Sequence, residues 1–65
     1  MCLSNVYKNE VSDGNLLARN IADIKIENGK VYFTDIMGVR TAFDGELAQI
    51  DLTENFVIIR QPGQQ

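Results

Sequence analysis

Turn signals cut this chain into short, similar pieces. Asp13-Gly14, Asn28-Gly29, Met37-Gly38, Asp44-Gly45 and Glu54-Asn55 follow one another at spacings of 7 to 15 residues. That rhythm suits an all-β protein. Asn28-Gly29 is the strongest of the five. It sits between alternating runs, and both residues accept the positive φ that a type I′ hairpin demands.

Five turns imply about six short strands, expected at Leu3–Asn9, Leu16–Arg19 continuing to Ala22–Glu27, Lys30–Ile36, Val39–Asp44, Leu47–Asp51 and Phe56–Arg60. Fifteen Val, Ile and Thr residues favour pleated backbone over helix. Between Asn15 and Asp23 the spacing of Leu16, Leu17, Ile21 and Ile24 would also fit a short helix, but a strand broken near Asn20 is preferred. Alternation assigns the faces. Ala22, Ile24 and Ile26 oppose Asp23, Lys25 and Glu27. Val39, Thr41 and Phe43 oppose Arg40, Ala42 and Asp44, while Ala48, Ile50 and Leu52 oppose Leu47, Gln49 and Asp51.

Length then limits how such strands can be covered. A chain of 65 residues buries only about 60% of the surface that it exposes when unfolded. Phe56-Val57-Ile58-Ile59 is nevertheless apolar on both faces, and so largely is Val31-Tyr32-Phe33. One chain this small seldom covers both sides of a strand, so the outer face needs a partner or forms an exposed patch. The expectation is a small SH3-like barrel of about six short antiparallel strands over residues 1–60. It pairs as a homodimer, with Ile59 on the second face of the last strand among the candidate contacts. Residues 61–65, Gln61-Pro62-Gly63-Gln64-Gln65, read as a flexible tail.

Composition removes several functions. With no His, neither a Ser-His-Asp nor a Cys-His engine can be assembled, and imidazole metal ligation is absent. A single Cys cannot build an internal disulfide or a four-thiolate zinc site. A net charge of −3 argues against nucleic acid. No signal-like or membrane-length apolar run occurs, and the chain reads as soluble and cytoplasmic. Asp13, Asp35, Asp44 and Asp51 stand beside expected turns, where carboxylates bond local amides. None has the spacing of an acid-base couple.

The chemistry therefore concentrates on Cys2, the one soft ligand and ready nucleophile. Initiator Met is commonly removed before a small second residue. Loss of Met1 would place a thiolate and a free α-amine on Cys2, joined in a five-membered chelate ring. Their ordinary pKa values, about 8.5 and about 7.7–8.0, are near enough to neutrality for a metal to displace both protons. Nitrogen-sulfur donation suits Ni(II) or Cu(II), and the backbone amide of Leu3 could add a further nitrogen if the metal deprotonates it. Ca²⁺ and Mg²⁺ want more oxygens, and zinc wants four fixed ligands. Two chains meeting near their N-termini would double the donor set. A lone Cys is equally a small buried hydrophobe, and alternation through Ser4 to Val6 could turn it inward.

Across residues 1 to about 60 the chain resembles the CooT-type family of small nickel-binding proteins. The resemblance lies in Met1-Cys2 followed by Val6-Tyr7, Leu16-Leu17 leading to Ile21 and Ile24, and Gly29. It continues in Thr34-Asp35-Ile36-Met37-Gly38, Gly45 and Ile50-Asp51-Leu52. It implies a non-enzymatic β-barrel homodimer that binds Ni(II) through the second-position Cys of both chains, here Cys2. It also implies an accessory, metallochaperone-like role in nickel delivery, storage or sensing for a nickel enzyme such as carbon monoxide dehydrogenase. The chain departs from the family pattern at Arg19-Asn20 and Val39-Arg40, where relatives usually carry acidic residues.

Two other functions fit parts of the sequence. An RNA-binding β-barrel could stack bases on Tyr7, Tyr32 and Phe33, although the basic residues are scattered among acids. An N-terminal-nucleophile hydrolase would use the thiol of Cys2 with its own amine as base, but needs a walled pocket and an oxyanion hole.

Overall fold

A computed structural model describes residues 3–61. Within them lie β1 (Ser4–Lys8), β2 (Leu16–Glu27), β3 (Lys30–Asp35), β4 (Arg40–Asp44), β5 (Glu46–Asp51) and β6 (Phe56–Arg60), with one turn of 3₁₀ helix at Asp13–Asn15. Each expected strand forms, its ends shifted by one residue at most. Asn28 and Gly29 take φ of 53° and 78°, as the β2–β3 hairpin requires.

All six strands belong to one sheet in the order β4-β3-β2-β1-β6-β5. The expected barrel does not close. β4 and β5 are the two edges of the sheet, although they are neighbours in sequence. The physical reason is their link, which is Gly45 alone. A hairpin needs about two loop residues to reverse the chain into a ladder. A one-residue link leaves too few residues for that reversal, so β5 turns a corner at the end of β4 and pairs with β6 instead. The expectation of wholly antiparallel strands also needs correction, because β1 and β6 run parallel, Val6 beside Val57 and Lys8 beside Ile59.

The twelve-residue β2 serves two neighbours in succession. Its first half pairs with β1 from Leu16 to Ile21, and its second half pairs with β3 from Ile21 to Glu27. Asn20 stands at the changeover in the left-handed region, φ 55°, and the register with β3 slips between Ile21 and Asp23. A slip of this kind exchanges faces. Ile21 enters the core and Ala22 is exposed. Ile24 is half-buried and Ile26 lies out on the surface. A second slip, between Leu47 and Gln49, places Leu47 against the core and leaves Ala48 outside. The apolar face expected from Ala48, Ile50 and Leu52 is therefore broken.

The core is Val6, Ile21, Val31, Phe33, Val57 and Ile59, flanked by Leu17, Ala18, Ile24, Phe43 and Leu47. The Phe33 and Phe43 rings meet at 5.8 Å between centroids, tilted by 56°, a favourable aromatic arrangement. Ile59 is completely buried, which corrects its assignment to a second, partner-facing side of β6. The outer residues of that strand, Phe56 and Ile58, are already half-covered. Of the expected tail, Gln61 donates its side-chain amide to the Asp44 carbonyl at 3.2 Å. Residues 62–65 lie outside the described residues.

Candidate functional site

The start of β1, which leads directly from Cys2, is held at the bend of β2. Ser4 pairs with Ile21, and Ile21 pairs with Asp35 at the end of β3. On the other flank Asn5 pairs with Phe56, and Phe56 with Asp51 at the end of β5. A run of hydrogen bonds crosses this region. The Asn5 N–H donates to the Asn55 carbonyl at 3.1 Å. The Asn20 N–H donates to Asn5 Oδ1 at 3.2 Å, and the Ile36 N–H donates to the Asn20 carbonyl at 2.9 Å. Left-handed backbone at Asn20 and Asn55, φ 55° and 62°, aims these two carbonyls at their donors. Asn tolerates that conformation better than other side-chain-bearing residues.

Two aspartates lock the turns on either side. Asp35 Oδ1 accepts from the Met37 and Val39 N–H groups, both at 2.9 Å. Asp51 Oδ1 accepts from Thr53 at 3.0 Å and Glu54 at 2.8 Å. Both match the turn-forming role expected of them. Asp44 differs: it pairs with Lys30 Nζ at 2.7 Å. The hydrogen bond and charge of Asp44 hold the Lys30 ammonium above its ordinary pKa. That pair lies beside the Asn28-Gly29 hairpin, away from the bend.

Between Asp35 and β4 the chain presents Ile36, Met37 and Val39 to solvent, 50%, 83% and 60% exposed. Leu52 in the β5–β6 turn is 79% exposed. Alternation puts Val39 with Thr41 and Phe43 and Leu52 with Ala48 and Ile50 on strand faces, but both stand in turns, as Ile36 does, where the period of two has stopped. The available signal was the pairing of large apolar residues with turn chemistry in Ile36-Met37-Gly38.

Leu3, proposed as a backbone ligand, is the first described residue and is half-buried just ahead of β1. Cys2 lies outside the described residues. Among the described residues no group of three or more His, Cys, Asp or Glu could hold a metal ion. Of the three aromatics considered for base stacking, Phe33 is sealed in the core and cannot reach a base. Tyr32 is half-buried with the Arg40 guanidinium 4.4 Å above its ring, and Tyr7 is half-buried on β1. Among the described residues no helix is long and apolar enough to cross a membrane.

Residues 1–60 match the family described as CO dehydrogenase accessory protein CooT. The chain belongs to the CooT family. It is also 34% identical over 59 residues to the uncharacterised protein MJ1551 of Methanocaldococcus jannaschii, an alignment spanning 91% of this chain and 96% of that protein. CooT membership accounts for the whole length of the sheet, from the strand that follows Cys2 to the end of β6.

Proposed function

We propose that this CooT protein is a nickel-binding accessory protein that handles Ni(II) for a nickel enzyme, with carbon monoxide dehydrogenase the favoured client. The observation that carries this is the match to the accessory family over residues 1–60, in a chain whose one Cys stands in second place. Nickel is cargo here, and the chain performs no catalysis of its own. Removal of Met1 frees the Cys2 amine. The thiolate and amine then chelate one metal ion, and the Leu3 amide nitrogen would join them only on losing its own proton to solvent. Four nitrogen and sulfur donors suit Ni(II), and two copies of Cys2 supply them in a homodimer.

The described strand that follows position 2 is firmly held. β1 begins at Ser4, tied on both flanks through Ile21 and Phe56 and through the Asn5 hydrogen bonds.

Titration of the purified protein with Ni(II), followed by absorbance, tests the proposal. A thiolate-to-nickel charge-transfer band is expected in the wild type and is expected to vanish in Cys2→Ser. Absence of the band in the wild type, or its persistence in Cys2→Ser, would overturn the assignment. Intact mass with and without Ni(II) reports Met1 removal and the number of chains per metal in the same sample.

A further inference from the structure

We propose that the β3–β4 turn is a docking prong for an acid-rimmed apolar groove on the client protein. This rests on the accessory role argued above and names the surface through which that role is exercised. Ile36, Met37 and Val39 are large, adjacent and exposed. Single apolar residues on a surface need no explanation, but three within four positions of one turn form a local patch. The patch is rigid. Asp35 Oδ1 holds the Met37 and Val39 amides, the Asp35 carbonyl accepts from Gly38 at 2.9 Å, and the Ile36 amide is fixed on Asn20. A preformed prong loses little freedom on binding. Met37, at the tip, has the unbranched thioether side chain that adapts to irregular apolar grooves.

Charge selects the kind of partner. Arg40 follows Val39 directly, and Arg19 precedes Asn20, whose carbonyl holds Ile36. Both arginines are exposed, and among the described residues the ion pair formed is that of Lys30 with Asp44. Arg40 is steadied over the Tyr32 ring, which leaves its charge at the surface. The turn's own carboxylate, Asp35, keeps its charge but is half-buried with Oδ1 turned onto the backbone amides, so it faces a partner less than the two exposed guanidiniums do. An apolar tip flanked by two cations, on a chain of net charge −3, is complementary to an apolar groove bordered by carboxylates. A second copy fits less well, because a two-fold contact across this turn would gather four arginine charges at one interface.

The test is binding of fluorescently labelled full-length protein to purified nickel-free carbon monoxide dehydrogenase. Wild type is expected to bind with an affinity that falls as salt rises. Met37→Glu is expected to weaken binding at least tenfold. Arg19→Glu combined with Arg40→Glu is expected to weaken it at least tenfold and to flatten the salt dependence. Circular dichroism and urea midpoints near wild type keep folding out of the comparison, and Met37→Gln serves if Met37→Glu does not fold. Ile26→Glu, an exposed apolar position away from the turn, is expected to bind as wild type. No binding by the wild type, or equal binding by the turn variants, overturns the proposal. So does sedimentation showing that Met37→Glu splits a wild-type dimer, which would give the prong to a second copy. Nickel binding is read separately from its charge-transfer band, so loss of either conclusion is visible without the other.

Discussion

Gly45 carries the topology, because it alone joins the two edge strands. Its φ of 143° is a value that side-chain-bearing residues rarely adopt. A Cβ built there would stand 2.6 Å from the Arg60 carbonyl oxygen, and that oxygen belongs to backbone at the end of β6, which cannot swing aside. Backbone strain of this kind costs about 1–3 kcal/mol, and the close approach adds to it. At roughly 0.05–0.15 kcal/mol per residue a chain of this length has only about 3–10 kcal/mol of stability to lose. Gly45→Ala is therefore expected to lower stability by more than about 2 kcal/mol, read as a large drop in the urea midpoint with an unchanged slope. A variant as stable as wild type would mean that the corner is not built on this residue. Asn9, Asn20, Asn28 and Asn55 make a gentler demand. They adopt φ between 53° and 67°, where Asn is tolerated and Gly would add freedom to the unfolded chain.

β6 is the strand whose role changes most between sequence and structure. Its run of four apolar residues suggested an uncovered second face, yet Val57 and Ile59 are core and Phe56 and Ile58 are half-covered. Ile59→Lys is accordingly expected to abolish cooperative folding rather than to split a dimer. Breaking in an unpaired charge at a fully buried site costs about 3–5 kcal/mol or more, a large part of what the chain has. Loss of the far-UV strand signal is the expected readout. A folded, monomeric Ile59→Lys protein would restore the outward placement. The six strands themselves were legible because Asn28-Gly29, Asp44-Gly45 and the other turn pairs punctuate the chain, and turn chemistry is local. What stayed hidden is non-local. The parallel β1–β6 ladder joins segments some fifty residues apart in sequence, and the slips at Ile21/Asp23 and Leu47/Gln49 are set by neighbouring strands. The same holds near the bend. Asp35 and Asp51 were readable as turn formers, but the Asn5–Asn20–Ile36 connection exists only once β1, β2 and β3 are assembled.

Taken together, these features leave an acidic chain without His whose proposed metal chemistry depends on one terminal residue repeated in two copies, and that dependence has a pH signature. Thiol and α-amine ordinarily titrate near about 8.5 and about 7.7–8.0. Below those values each copy that binds Ni(II) through thiolate and amine alone must release two protons. The apparent affinity is then expected to climb steeply from about pH 6, by as much as about a hundredfold per pH unit for each copy engaged, and to level off above about pH 9. Carboxylate ligands would behave otherwise. They are ordinarily ionised above about pH 5, so a site built from Asp or Glu would give a nearly flat profile over the same interval. Competition titrations against a nickel chelator of known pH dependence, on protein shown by mass to lack Met1, make the measurement. Cys2→Ser should both weaken binding and reduce the slope, because the thiol proton no longer takes part while the amine proton still does. A flat wild-type profile would move the metal away from the terminus and onto the acidic surface. A steep wild-type profile that Cys2→Ser leaves unchanged would assign the protons to the amine alone, and with it remove the thiolate from the site.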